Sequence, residues 1–128
     1  MQRPPFAQAK LVRVLEGEVL DVVVDVRKNS KSFGKTFSIL LSEKNRKQLF
    51  VPKGCLHGFS VLSDYAAFFY KCDEYYNKAS EDGVYPLDTD LNIDWKLPNE
   101  KAILSDKDKK AKAFSSLGAV SLWLKIYL

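Results

Sequence analysis

Histidine is almost missing from this chain of 128 residues: His57 is the only one. A metal centre built from several imidazoles is therefore excluded, because such sites draw their ligands from His-rich sets. Cysteine is nearly as scarce. Cys55 and Cys72 are the two present, they lack CxxC spacing, and each lies in apolar, strand-like sequence. That pattern predicts two buried thiols acting as small hydrophobes, in a reduced, cytoplasmic setting. No charged n-region followed by an apolar h-region opens the chain, so a secretory leader is not expected. Long hydrophobic runs are also lacking: the most apolar stretch, Phe114 to Leu128, is too short and too interrupted by Lys125 to span a membrane. Basic clusters are absent as well. Lys and Arg total 20 against 16 Asp and Glu, and the resulting net charge of +4 is spread along the chain. Without an Arg cluster or aromatic-interleaved basic stripe, nucleic acid is not the expected partner; a small anion such as a sugar diphosphate suits this charge equally well. No internal repeat or low-complexity segment occurs.

What is present is an apolar content of 46% and an aromatic content of 12%, enough for one domain over residues 1–128 with its own core. Lys10 to Leu15 and Glu18 to Arg27 read as two strands around a tight turn at Glu16-Gly17. Along the second, Leu20, Val22, Val24 and Val26 share one face, while Val19, Asp21, Val23, Asp25 and Arg27 share the other. Acids alternating with valines suggest a sandwich or barrel with a partly polar interior. Further strands are predicted over Lys35 to Leu41, Lys47 to Val51, Gly58 to Leu62 and Ala66 to Cys72. Many short strands without an intervening amphipathic helix favour an all-β jelly roll. From Asp73 the pattern weakens. Residues 77–92 are turn-rich, and the eight charges from Glu100 to Lys112 suggest a solvated loop or short surface helix.

Chemistry is expected first at residues 48–61, where His57 lies on a Gly-framed turn after a Pro-Lys-Gly corner. His57 suits three roles: a base, a hydrogen-bond donor to a ligand oxygen, or a structural residue. Asp21 and Asp25 lie on the polar face of their strand, and at least one is expected to meet a buried partner, since an unpaired carboxyl group there is costly. Tyr70, Tyr75 and Tyr76 cluster around a strand end, where a phenol can donate a proton and its neighbours can stack on a base or sugar. Taken alone they read as core and rim aromatics. Lys10, opening the first strand, reads alone as a surface lysine that could reach the same mouth.

In order along the chain, several blocks carry a resemblance. They are Gln2-Arg3-Pro4-Pro5, Lys10-Leu11-Val12-Arg13, Gly17-Glu18-Val19, Asp21-Val22, Gln48-Leu49-Phe50-Val51-Pro52, His57-Gly58-Phe59, Tyr70-Lys71-Cys72, Tyr75-Tyr76, Ile93-Asp94-Trp95 and Leu104-Ser105-x-Lys107-Asp108. Together they resemble the dTDP-4-dehydrorhamnose 3,5-epimerase family over most of residues 2 to about 110. The resemblance implies a cupin-type jelly roll with short peripheral helices near the C-terminus. It also implies a homodimer that acts without metal or organic cofactor on a dTDP-4-keto-6-deoxyhexose, inverting the carbons beside the ketone.

The resemblance assigns roles by position. Lys10 matches the lysine that stabilises the enolate oxygen, Tyr70 the acid that reprotonates the opposite face, and Asp108 the carboxylate that orients the catalytic histidine. His57 matches a second, substrate-contacting histidine with Asp21 as its partner, Glu81 and Lys107 match ligand-contacting positions, and Tyr75 matches a thymine-stacking aromatic. The chain also departs from the family. The proton-abstracting histidine lies in an Arg-Gly-x-His-aromatic-Gln segment, of which Met1 occupies the aromatic position, so that base falls one residue before Met1. The chain therefore reads as lacking the family's amino-terminal region, with an atypical tail over 114–128. An impaired jelly-roll module that binds nucleotide sugar without the base is the alternative, and an unrelated sugar-binding or scaffold cupin a third.

Overall fold

The computed structural model describes residues 1–121. Six strands form two antiparallel sheets that face each other. They are β1 (Lys10–Glu16), β2 (Glu18–Asp25), β3 (Thr36–Ser42), β4 (Gln48–Val51), β5 (Cys55–Val61) and β6 (Ala67–Cys72). One sheet has the order β4-β1-β6 and the other β3-β2-β5. The all-β expectation therefore holds, with every predicted strand present. Three single-turn 3-10 helices and one short α-helix, α1 (Asp106–Lys109), follow β6.

The tight hairpin expected at Gly17 is not formed, because β1 and β2 lie in different sheets. Gly17 instead carries the chain across the sandwich at φ +77°, with the backbone carbonyl of Tyr65 2.2 Å from where a Cβ would stand. No L side chain fits that space, and the positive φ disfavours one independently. Gly17→Ala is expected to lower the melting temperature by roughly 10 °C, corresponding to about 2–3 kcal/mol; thermal unfolding followed by circular dichroism checks it.

Cross-strand register shows which side chains meet between the sheets. Val12 and Val14 of β1 pack with Val19 of β2 and Leu41 of β3 in a buried cluster. Lys10 shares the Val12 face of β1, Tyr70 stands opposite Val12, and Phe68 stands opposite Val14. On the other sheet, Asp21, Val23, His57 and Phe59 share the inward face with Val19. The polar interior read from the alternation of β2 is thus the space between the sheets.

The opposite face of β2 is buried too. Val24, Val26 and Leu56 pack under Leu117 and Val120, with Val84, Leu91, Ile93 and Phe114 around them. Val120 fixes this cover by pairing with Arg27: its N–H donates to Val26 at 2.8 Å, and its carbonyl accepts from Lys28 at 2.7 Å. Part of the 114–128 tail is therefore core; the rest of that prediction, including Trp123, Ile126 and Tyr127, lies outside the described residues.

Asp25 anchors the link from β2 to β3. Its carboxyl group accepts from Arg27 at 2.8 and 2.9 Å, and from Ser30 and Ser32 at 2.5 and 2.6 Å. The Arg27 guanidinium, with both hydroxyls, holds the Asp25 carboxyl far below the usual carboxylate range despite burial. A depressed folded pKa stabilises the fold above the unfolded value, near pH 4, and the contribution disappears as pH falls further. Asp25→Asn is expected to lose about 2 kcal/mol at pH 7, a value discounted for the partly exposed Arg27. It should also show a shallower decline in stability below pH 4, read from denaturant midpoints across that range.

Candidate active site

The inner faces of β5 and β6 form an open edge between the sheets, and of the residues singled out above Lys10, Asp21, His57 and Tyr70 face it. Asp21 is wholly buried, at 0% exposure, and His57 points at it across the β2–β5 pairing. The His57 Nε2–H donates to the Asp21 carboxyl group, 2.9 and 3.0 Å from its two oxygens. This contact fixes the tautomer and leaves Nδ1 as the other ring nitrogen. The expectation that at least one acid of β2 meets a buried partner thus holds through Asp21 and His57, while Asp25 pairs with the partly exposed Arg27.

His57 is not on a turn. It lies inside β5, which begins at Cys55, three residues before the predicted strand, and pairs opposite Val23. The adjacent Gly58 faces outward, where a Cβ would stand 3.3 Å from the Trp95 ring. Trp95 is itself tied down: its indole N–H donates to the Pro86 carbonyl, and its own carbonyl accepts from Ser60, both at 2.7 Å. A rigid strand clamped from outside therefore presents the imidazole.

Tyr70 projects from β6 into the same space and is 57% exposed, so its phenol is open to a ligand. Between Tyr70 and His57 lies Phe68, which stacks on Phe59. Neither phenylalanine stands out in the sequence; the signal was the alternation Phe68-x-Tyr70, legible only once the facing strand is known. Lys10 stands opposite Cys72 at the mouth. Cys72 is exposed, contrary to the burial expected of it, because it closes an edge strand at that open end. Cys55 is buried as expected, and burial raises its thiol pKa, so it stays protonated.

A second group gathers around Glu81. Glu81 accepts from Lys107 at 2.7 Å and from the Tyr76 hydroxyl at 3.1 Å. The Lys107 hydrogen bond holds the Glu81 carboxyl below its usual range, and the same contact raises Lys107. Gln2 bridges to Glu81, which brings the first residues of the chain alongside this group. Burial first, and then the Lys10 charge, lower the pKa of the Met1 amino group to about 6. Asp108 follows Lys107 but is held locally, its carboxyl group accepting from Ser105 at 2.7 Å. Tyr75 is 90% exposed, and its carbonyl accepts from the Gln2 side chain. Neither Asp108 nor Tyr75 touches the His57–Asp21 pair.

The inner edge has a phenol able to give up a proton, an ammonium beside it and an oriented imidazole, and Glu81 and Lys107 form a separate acid–lysine pair. Those parts suit proton transfer next to a carbonyl that needs its oxygen stabilised. Among the described residues no cluster of three or more His, Cys, Asp or Glu side chains could hold a metal ion. No described helix is long and apolar enough to cross a membrane.

Comparison with known proteins identifies the architecture. A crystal structure of dTDP-4-dehydrorhamnose 3,5-epimerase from Elizabethkingia anophelis superposes with a TM-score of 0.88 at 54% identity, covering 90% of this chain and 63% of that one. The Legionella pneumophila dTDP-6-deoxy-D-glucose-3,5-epimerase, solved in complex with dTDP-4-keto-L-rhamnose, gives 0.85 at 46%, covering 91% and 61%. The Escherichia coli dTDP-4-dehydrorhamnose 3,5-epimerase is 50% identical over 109 residues, 85% of this chain and 58% of its own length. The chain thus spans about three-fifths of the relatives it matches. The family model for dTDP-4-dehydrorhamnose 3,5-epimerase matches residues 1–116, which contain every side chain of the site just described. With fold, ordered sequence and site in agreement, the chain belongs to the dTDP-4-dehydrorhamnose 3,5-epimerase family.

Proposed function

We propose that this chain carries the sugar-binding and protonating side of a cofactor-independent epimerase acting on dTDP-4-dehydro-6-deoxyglucose. The observation that carries the reading is the convergence of Tyr70, Lys10 and the His57–Asp21 pair on one open inner edge. The C4 ketone acidifies the hydrogens on C3 and C5. Transfer of one of these protons to a base leaves an enolate whose oxygen the Lys10 ammonium stabilises, and the Tyr70 hydroxyl then gives its proton to carbon from the opposite face and regains one from solvent. His57, locked by Asp21, binds a sugar oxygen. Glu81 and Lys107 contact the ligand at the mouth, Tyr75 stacks on the thymine, and Asp108 stands at the position that orients the base in the family. Residues 1–128 act as one domain in a cytoplasmic setting.

The same reading includes a homodimer. The outer face of β4-β1-β6 exposes Leu11, Phe50 and Phe69, and the Arg13 Nε among them is buried without a hydrogen-bond partner among the described residues. A second copy against this face would cover the apolar groups and supply acceptors. Phe50→Glu is expected to convert a dimer to monomers in light scattering at micromolar concentration, with the circular dichroism spectrum unchanged.

Incubation with the 4-keto sugar in deuterium oxide tests the chemistry. Deuterium entering C3 and C5 above the level of a Tyr70→Phe control supports the epimerase. Retained dTDP binding without exchange supports the impaired binding module instead, and absence of both removes both readings.

A further inference from the structure

Phe68 stands at the centre of four rings on the inner faces of β5 and β6. Its ring stacks on Phe59 with centroids 4.4 Å apart and planes within 13°. Its centroid lies 6.2 Å from that of His57 and 6.1 Å from that of Tyr70. Both strands therefore change character along their inner faces. On β5, His57 is followed by Phe59 and Val61; on β6, Tyr70 gives way to Phe68, with Ala66 beyond it against the valine core. Each two-residue step is about 7 Å, on the scale of a hexose ring. Phe59 is 44% exposed, so the phenyl pair is accessible from the opening. A ligand that places a carbonyl among Lys10, Tyr70 and His57 lays its neighbouring substituent on these two rings.

We infer that the Phe59–Phe68 pair is an apolar subsite for the methyl group of a 6-deoxyhexose, and that it discriminates against the same sugar bearing a 6-hydroxyl. The inference rests on the nucleotide-sugar reading above. A hydroxyl laid on this patch loses water and meets only carbon, whereas a methyl group gains contact with nothing left to satisfy. The contact is also non-directional. Inversion at C5 moves the methyl relative to the ring, and a flat phenyl surface holds it in either position without a hydrogen bond to break.

Calorimetric titration of the 128-residue chain with dTDP, dTDP-6-deoxyglucose and dTDP-glucose separates the two claims. The 6-deoxy sugar is expected to bind about ten- to a hundredfold more tightly than dTDP-glucose, the range an apolar pocket achieves against an added hydroxyl. Phe68→Tyr, which places a hydroxyl in the patch, is expected to remove most of that preference while dTDP alone binds as before. Phe59→Tyr on the more exposed ring serves as the second variant and is expected to act in the same direction. Equal binding of the two sugars by a chain that binds dTDP overturns the inference and leaves the nucleotide-sugar reading intact, as does a preference unchanged in both variants. Failure to bind dTDP at all overturns the reading and the inference with it.

Discussion

Tyr70→Phe is expected to slow deuterium entry at the carbons flanking the ketone by about 10²- to 10⁴-fold, the usual contribution of a positioned acid. Affinity for dTDP should stay unchanged, because the phenol acts on the sugar. The substitution removes one oxygen from a half-exposed side chain, so stability is expected to move by less than about 0.5 kcal/mol. That separation distinguishes a catalytic proton donor from a structural tyrosine. Parallel loss of exchange and of melting temperature would mean that the hydroxyl supports the fold. Exchange unaffected by the substitution would remove Tyr70 from the chemistry. Lys10→Met in the same assay probes the enolate oxygen.

His57→Ala is expected to act chiefly on stability. The Asp21 carboxyl group has no exposure, and both its oxygens lie within hydrogen-bond distance of the same imidazole nitrogen. Taking the imidazole away strands a buried carboxyl group, which costs about 3–5 kcal/mol, or a fall of roughly 10–20 °C in melting temperature. The double variant His57→Ala/Asp21→Ala should be more stable than His57→Ala alone, because the stranded group is gone. Chemical denaturation of the wild type, both single variants and the double variant gives the coupling energy. A coupling near zero would show that Asp21 does not depend on His57.

Alternation and turn residues made each strand legible, because side chains on a pleated strand alternate between faces and the turns carry Gly, Asn and Ser. The same alternation cannot say which sheet a strand joins. Glu16-Gly17 has the composition of a hairpin turn, yet it crosses between sheets, and only the nearby Tyr65 carbonyl explains why glycine is required there. Both faces of β2 looked different in sequence, one apolar and one mixed, and both are buried because Leu117 and Val120 return from far along the chain. The start of β5 was missed for a related reason. Pro52, Lys53 and Gly54 end β4, but extension resumes at once through Cys55, so His57 joins the strand.

The site was legible residue by residue and illegible as a geometry. Lys10, Tyr70, His57 and Asp21 were readable as candidates from residue type and family resemblance. That they share one opening follows from the pairing of Val12 with Tyr70 and of Val23 with His57, which are long-range contacts. Phe59 is visible in the sequence only within the His57-Gly58-Phe59 block and Phe68 only through the Phe68-x-Tyr70 alternation, since a phenylalanine on a strand reads as core until the facing strand is placed. The solvated run from Glu100 to Lys112 behaved as expected on the surface, yet its Lys107 reaches back to Glu81 at the mouth.

A second opening, of about 240 Å³, lies between β3 and β4 on the other side of the sandwich, lined by Asp25, Arg27, Phe37, Leu49, Phe50 and Cys55. It contains none of the proposed acid, lysine or histidine groups. The most direct test of the account is therefore a crystal structure of this chain with dTDP-6-deoxyglucose. The account predicts the sugar between Tyr70 and His57, with its methyl on Phe68 and the thymine on Tyr75. Sugar density at the β3–β4 opening, or away from the inner edge of β5 and β6, would contradict it.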